Sequence, residues 1–178
     1  MRIVKILIVV VLLAIFGGCL FVWSGSYNIA ANKPHWAITS EVLEVVRERS
    51  IETRAEGLTP PESFPLPLMA RAATDYAEMC MQCHLAPGMA PTALQQGLYP
   101  QPPVFHEGHG DDHDLREAFW VIKNGIKLTG MPAWGKVHSD DEIWALAQFI
   151  DYLPNMSPQK FRQLTGLSIM PEAGAHAH

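Results

Sequence analysis

The chain has 178 residues, is 48% hydrophobic and 17% charged, and carries a formal net charge of −5 at pH 7. That length accommodates one domain plus appendages. Between Leu66 and Pro154 five Lys and Arg face eleven Asp and Glu, so nucleic acid is disfavoured as a partner, because phosphate contacts need a cationic face.

Ile6 to Trp23 contains no charged residue. As a helix it would span roughly 27 Å, close to the thickness of a bilayer core. Arg2 and Lys5 precede the run and no cation comes after it until Lys33, which places the N-terminus in the cytoplasm and the rest of the chain outside. Residues 1–26 are therefore read as a single-pass anchor in the inner membrane of a bacterium. A cleaved signal is the alternative, with Ser24-Gly25-Ser26 as the cleavage site, but the apolar run exceeds the usual length of such a segment. Lipidation at Cys19 after Gly17-Gly18 is a third reading, and Phe16 fits it poorly.

Residues 27–65 read as a stalk and linker. Pro34 excludes a continuous helix from Tyr27 to Ile38, and Thr39 or Ser40 can cap a helix running to about Glu56, where Gly57 supplies the stop. Val42, Leu43, Val45 and Val46 crowd its first half, and Glu48, Glu52 and Glu56 share one face. A solvated helix holding the next domain off the membrane is expected, with docking to another subunit as the alternative. Pro60, Pro61, Pro65 and Pro67 stiffen the linker.

The domain over 66–155 opens with an alanine-rich helical stretch from Leu66 to Met79 that runs into Cys80-Met81-Gln82-Cys83-His84. Two cysteines two residues apart, followed at once by histidine, form the attachment signature of haem c. The thiols add to the two vinyl groups on one porphyrin edge, and the adjacent imidazole reaches the iron. A thioredoxin-like pair or half a zinc site would share the Cys-x-x-Cys spacing. The only other cysteine is Cys19, and no βαβ pattern surrounds the motif.

Further helices are expected from about Asp112 to Lys123, closed by Asn124-Gly125, and from Ser139 to about Leu153, before Pro154. The second begins with a capping box, Ser139-Asp140-Asp141-Glu142, whose acids suit the helix dipole. Residues 156–178 form a tail, with a short amphipathic turn around Phe161 and Leu164 and a frayed end. No strand pairing is evident, so the fold class is all-α.

His84 is the expected proximal ligand, and the sixth position decides between electron transfer and ligand chemistry. Met79 and Met81 flank the attachment residues, Met89 lies only five residues past His84, and Met156 follows the last helix. Met131 stands in the Gly-rich, Pro-stiffened loop Gly125 to Gly135 and can wrap the far face of a porphyrin. Core filling is the ordinary role of a methionine, but this loop has no helical periodicity. Trp120, Trp134 and Trp144 belong to the core or haem wall, with Trp134 beside the ligand loop the best candidate for a haem contact.

From about Leu66 to Pro154 the chain resembles the monohaem class I c-type cytochromes of bacteria. The resemblance rests on Cys80-Met81-Gln82-Cys83-His84, on Gly130-Met131-Pro132, and on Ala72 and Tyr76 set against Leu146 and Phe149 where the first and last helices cross. It implies the class I cytochrome c fold, one haem c on Cys80 and Cys83, His84 and Met131 as iron ligands, and the Pro87 carbonyl as acceptor for His84 Nδ1–H. The family favours Gly where Ala72 stands. Leu98 to Pro103 is similar to its proline-rich haem-edge loop.

His106 to Asp114 holds three histidines and four carboxylates. A solvated, helix-capping loop is the expected reading, and zinc or copper binding is the alternative. Displacement of Met131 by one of these histidines is a further, weaker reading.

The functional expectation is a membrane-anchored one-electron carrier on the periplasmic side, with donor and acceptor redox proteins as partners and no small-molecule substrate. A fixed haem subunit of a dehydrogenase or terminal oxidase is the alternative. A haem enzyme or ligand sensor with an open sixth site is the alternative of another class.

Overall fold

The computed structural model describes residues 1–108 and 114–167, and among these there are helices and turns but no strand. Helix α1 spans Arg2–Ser24 and buries none of its residues. Its 23-residue length and apolar composition suit a membrane crossing. Water is a poor solvent for so exposed an apolar helix, whereas lipid satisfies it because all the backbone bonds are internal.

Past Gly25, a short segment folds back on itself. Tyr27 Oη lies 2.7 Å from His35 Nδ1, and the Tyr27 and Trp36 rings meet edge to face at 4.9 Å. The His35 amide donates to Tyr99 Oη at 3.1 Å, and the two rings of that pair also meet, at 5.1 Å. Tyr99 belongs to the proline-rich loop Leu98 to Pro103, so the membrane-proximal segment is clasped to the helical domain.

Helix α2 runs Ala37–Ala55 with Trp36 at its N-cap and no side-chain cap bond. It therefore starts ahead of Thr39 and Ser40, which lie inside it. The expectation of a solvated stalk is corrected here: α2 packs against α6 (Leu115–Asn124). Arg47, Ile51 and Ala55 recur at i+4 and form its inward stripe. Ala55 is buried, and Arg47 and Ile51 line the domain's main cavity. Val42, Val45 and Val46 point outward. The apolar cluster thus marks the wrong face in sequence, since only packing on α6 decides which stripe turns in.

Helix α3 (Leu66–Asp75) continues without a break into a π-helical turn, Tyr76–Cys80, and then into α4, Met81–His84. α3 packs on α7 (Asp140–Tyr152), which also packs on α6. Ala72 and Ala73 are almost fully buried, as are Leu146 and Phe149. Tyr76 meets Phe149 at 5.7 Å and Phe161 at 6.1 Å, so the helix crossing expected from Ala72, Tyr76, Leu146 and Phe149 is present. Small residues on α3 let the helices approach, and aromatic rings fill the space beyond.

The capping box of α7 forms as expected: Ser139 Oγ accepts from the Glu142 amide and the Glu142 carboxylate accepts from the Ser139 amide. α6 is capped by Asp114, which accepts from the Arg116 amide, and closes at Gly125. A short α5 (Ala93–Gly97) comes after the haem motif. The last helix, α8 (Pro158–Thr165), buries Phe161 completely against the core. Of the loop His106 to Asp114, read as solvated with metal binding as the alternative, residues 109–113 lie outside the described residues, as does the tail from 168 onward. Among the described residues no group of three His, Cys, Asp or Glu is placed to hold a metal ion.

Candidate functional site: a haem cavity built on the Cys-x-x-Cys-His segment

The π turn is the local feature that delivers the attachment residues. Widening a helix by one residue per turn rotates the next residues about the axis, and such turns recur at functional sites. Cys80 ends the turn, and Cys83 and His84 close α4. All three line a cavity of about 490 Å³, within the range of cofactor sites.

Directly after His84 the chain reverses at Leu85, which has φ 59 and ψ 177, a region ordinarily reserved for glycine and costing about 1–3 kcal/mol. Two contacts hold it there. The Leu85 side chain is buried, and its carbonyl accepts a 2.6 Å hydrogen bond from the buried Tyr76 hydroxyl. Tyr76→Phe should therefore cost about 1–3 kcal/mol by leaving that carbonyl without a partner. A lower denaturant midpoint with an unchanged slope, measured on the haem-loaded chain, is the expected result.

Burial pushes the His84 imidazole below its usual pKa, against the opposing effect of the bond from its ring to the Pro103 carbonyl. Neutral imidazole is the metal-binding form. His84 Nδ1 lies 2.9 Å from that carbonyl. Since a carbonyl only accepts, Nδ1 carries the proton and Nε2 keeps the lone pair. The expected partner, Pro87, is thereby corrected to Pro103. The reversal at Leu85 carries the chain away, and the proline-rich loop returns to the ring from 19 residues downstream. Phe105, two residues further on, stacks on His84 at 4.3 Å with 13° between planes. The imidazole is thus fixed in both tautomer and orientation.

The thiols are quiet in the free chain. Burial, with lesser contributions from Asp75 and Cys83, pushes Cys80 up to about 12, and burial also raises Cys83. Neither is poised as a thiolate nucleophile, which argues against dithiol redox chemistry.

Two methionines line the cavity, Met79 and Met131. They differ in what holds them. Met79 Sδ accepts from His138 Nε2 at 3.3 Å. Met131 is set by its loop: its amide donates to Thr129 Oγ1 at 3.1 Å, that hydroxyl donates to the Ile126 carbonyl, and the Ile126 amide returns to the Met131 carbonyl at 3.2 Å. Met89 is buried in the core and Met156 packs against it, neither at the cavity. Trp134 lines the cavity, as do Leu98, Pro100, Pro102 and Pro103, whereas Trp144 stacks on Phe119 at 3.9 Å in the core.

The site fits a porphyrin by its own chemistry: a largely apolar cavity with two thiols and an oriented imidazole from one segment, and a thioether and an indole from another. Residues 47, 51, 103 and 105 had no signal of their own in the sequence beyond the proline-rich character of the loop that carries Pro103. Bound haem supplies a one-electron iron couple, while the chain's residues attach it, fix its axis and exclude water.

The family model described as "Cytochrome C oxidase, cbb3-type, subunit III" matches residues 67–150, the span from the start of α3 almost to the end of α7. No curated protein sequence matches the chain. Attachment motif, cavity, all-helical fold and family match together place the chain among the c-type cytochromes: it is an electron-transfer protein carrying haem c on Cys80 and Cys83, with an apolar N-terminal helix suited to anchoring it in a membrane.

Proposed function

We propose that the chain is a membrane-tethered one-electron carrier on the outer face of the cytoplasmic membrane, with its iron held between His84 Nε2 and Met131 Sδ. The observation that carries this reading is the presence of both side chains in one cavity, the imidazole oriented through its other nitrogen and Met131 placed by the backbone bonds of its loop, with neither ligating atom committed elsewhere. A His/Met set closes the iron to exogenous ligands and raises its potential. Arg2 and Lys5 on the near side of α1 support the outward placement of everything after it. In this proposal residues 66–155 are the haem domain, and the donor and acceptor are redox proteins reached along the membrane.

The reduced, detergent-solubilised chain should leave its Soret band unchanged under carbon monoxide. Rapid carbon monoxide binding would instead indicate an open site, as in a sensor or haem enzyme.

A second reading, a fixed haem subunit of a terminal oxidase or dehydrogenase, draws on the description of the matching family and on the exposed apolar stripe of α2. Retention of a larger redox complex through purification in mild detergent would favour it over a free carrier.

A further inference from the structure

Arg47 is anomalous where it stands. It occupies the inward stripe of α2, between that helix and α6, with Ile51 and Ala55 following at i+4 and i+8, where packing alone would select an apolar residue. Its side chain is 35% exposed. The carboxylates paired with it, Glu44 and Glu48 on its own helix, both lie at 3.6 Å, beyond hydrogen-bond reach. Among the described Lys and Arg it is the one that lines the haem cavity. The carboxylate in the same lining is Glu117 of α6.

Haem c brings two propionate carboxylates into this cavity, on the porphyrin edge away from the vinyl carbons bonded to Cys80 and Cys83. A guanidinium is the side chain best shaped to take a carboxylate, through two parallel N–H donors. We propose that Arg47 holds a haem propionate, so that α2, which lies outside the family-matched residues 67–150, is a working wall of the haem pocket, with Ile51 as its apolar shield. Arg47 is a positioning residue: it acts on the iron couple through the porphyrin, whichever side chain takes the sixth position. The inference rests on covalent haem at Cys80 and Cys83, and it survives if Met131 proves not to be the ligand.

The sign of the effect is set by charge. A cation beside the haem disfavours the more positive ferric state, and neutralising a propionate removes a group that stabilises it. Loss of Arg47 must therefore lower the potential.

The test is spectroelectrochemical titration of the full haem-loaded chain in detergent at mildly alkaline pH, with resonance Raman spectra of the propionate bending mode. Arg47→Gln should change the reduced-to-oxidised ratio at fixed ambient potential by about threefold to tenfold toward oxidised, and shift the bending mode. Arg49→Gln is the control. It lies on the same helix, exposed and paired with Glu52 at 2.6 Å, and should move neither. Arg47→Lys should recover most of the potential but not the bending frequency. Equal behaviour of Arg47→Gln and Arg49→Gln would overturn the proposal. Should Arg47→Gln fail to fold, Arg47→Lys carries the test, and an unchanged bending mode in it is the contrary result.

Discussion

Replacing Met131 by alanine should abolish the weak long-wavelength iron–sulfur band of the oxidised protein, lower the midpoint potential by on the order of 100 mV, and admit carbon monoxide to the reduced form. In the proposed ligation the thioether is a soft ligand that favours ferrous iron, and its removal leaves a shortened side chain that cannot reach. Met79 also lines the cavity, but its sulfur is held by His138, and as the residue before Cys80 it moves with the attachment segment. It is not free to substitute. A mutant that kept the band and stayed inert to carbon monoxide would show that another residue ligates the iron. The fold itself should change little, since Met131 is only partly buried and packs at the margin of the core.

Gly125→Ala should be nearly as damaging, without touching a ligand. Gly125 closes α6 at φ 66 and ψ −177, a region that only glycine enters freely, at a cost to other residues of about 1–3 kcal/mol. A Cβ there would stand 2.7 Å from the Met131 carbonyl oxygen, 2.7 Å from the Pro132 carbonyl carbon and 2.9 Å from the Ala133 nitrogen. All three are backbone atoms, so no rotamer change relieves the contact, and overpacking adds roughly 1–3 kcal/mol. The loop that presents Met131 must shift or the domain must lose a sizeable part of its stability. The expected outcome is a weakened iron–sulfur band together with a lowered thermal midpoint. By contrast, Gly130 meets only the tip of the Leu98 side chain, which can rotate, and Gly130→Ala should be tolerated far better. If the two variants behaved alike, backbone crowding at Gly125 would not be the cause.

The features legible in the sequence are those that depend on near neighbours in the chain. The Ser139 capping box needs residues three apart, the Asn124-Gly125 stop needs two adjacent ones, and the attachment motif needs five. Each is where the sequence places it. The features that escape depend on distant segments. Pro103 takes the place expected of Pro87 because the loop beyond α5 folds back over His84, and nothing local marks which proline carbonyl will arrive. The π turn at Tyr76–Cys80 has no composition signature, being the register in which Tyr76 can fill the space among Phe149, Phe161 and the Leu85 carbonyl. α2 reads as a solvated stalk because its apolar residues crowd the first half and its inward stripe carries an arginine, so no continuous apolar face shows in the sequence.

The clasp between His35 and Tyr99 bears on how this cytochrome searches for partners. Some twelve residues separate the end of α1 from the start of α2, and an unconstrained leash of that length would let the haem domain swing through roughly 40 Å. Folded through Tyr27, His35 and Tyr99, the same residues would hold the domain of the proposed membrane-tethered carrier at the root of α1, with lateral diffusion in the bilayer in place of tumbling at the end of a tether. The number of orientations the haem presents falls accordingly. A partner in the same membrane then meets it at a high effective concentration and a fixed height, while a partner arriving from bulk solution gains neither advantage.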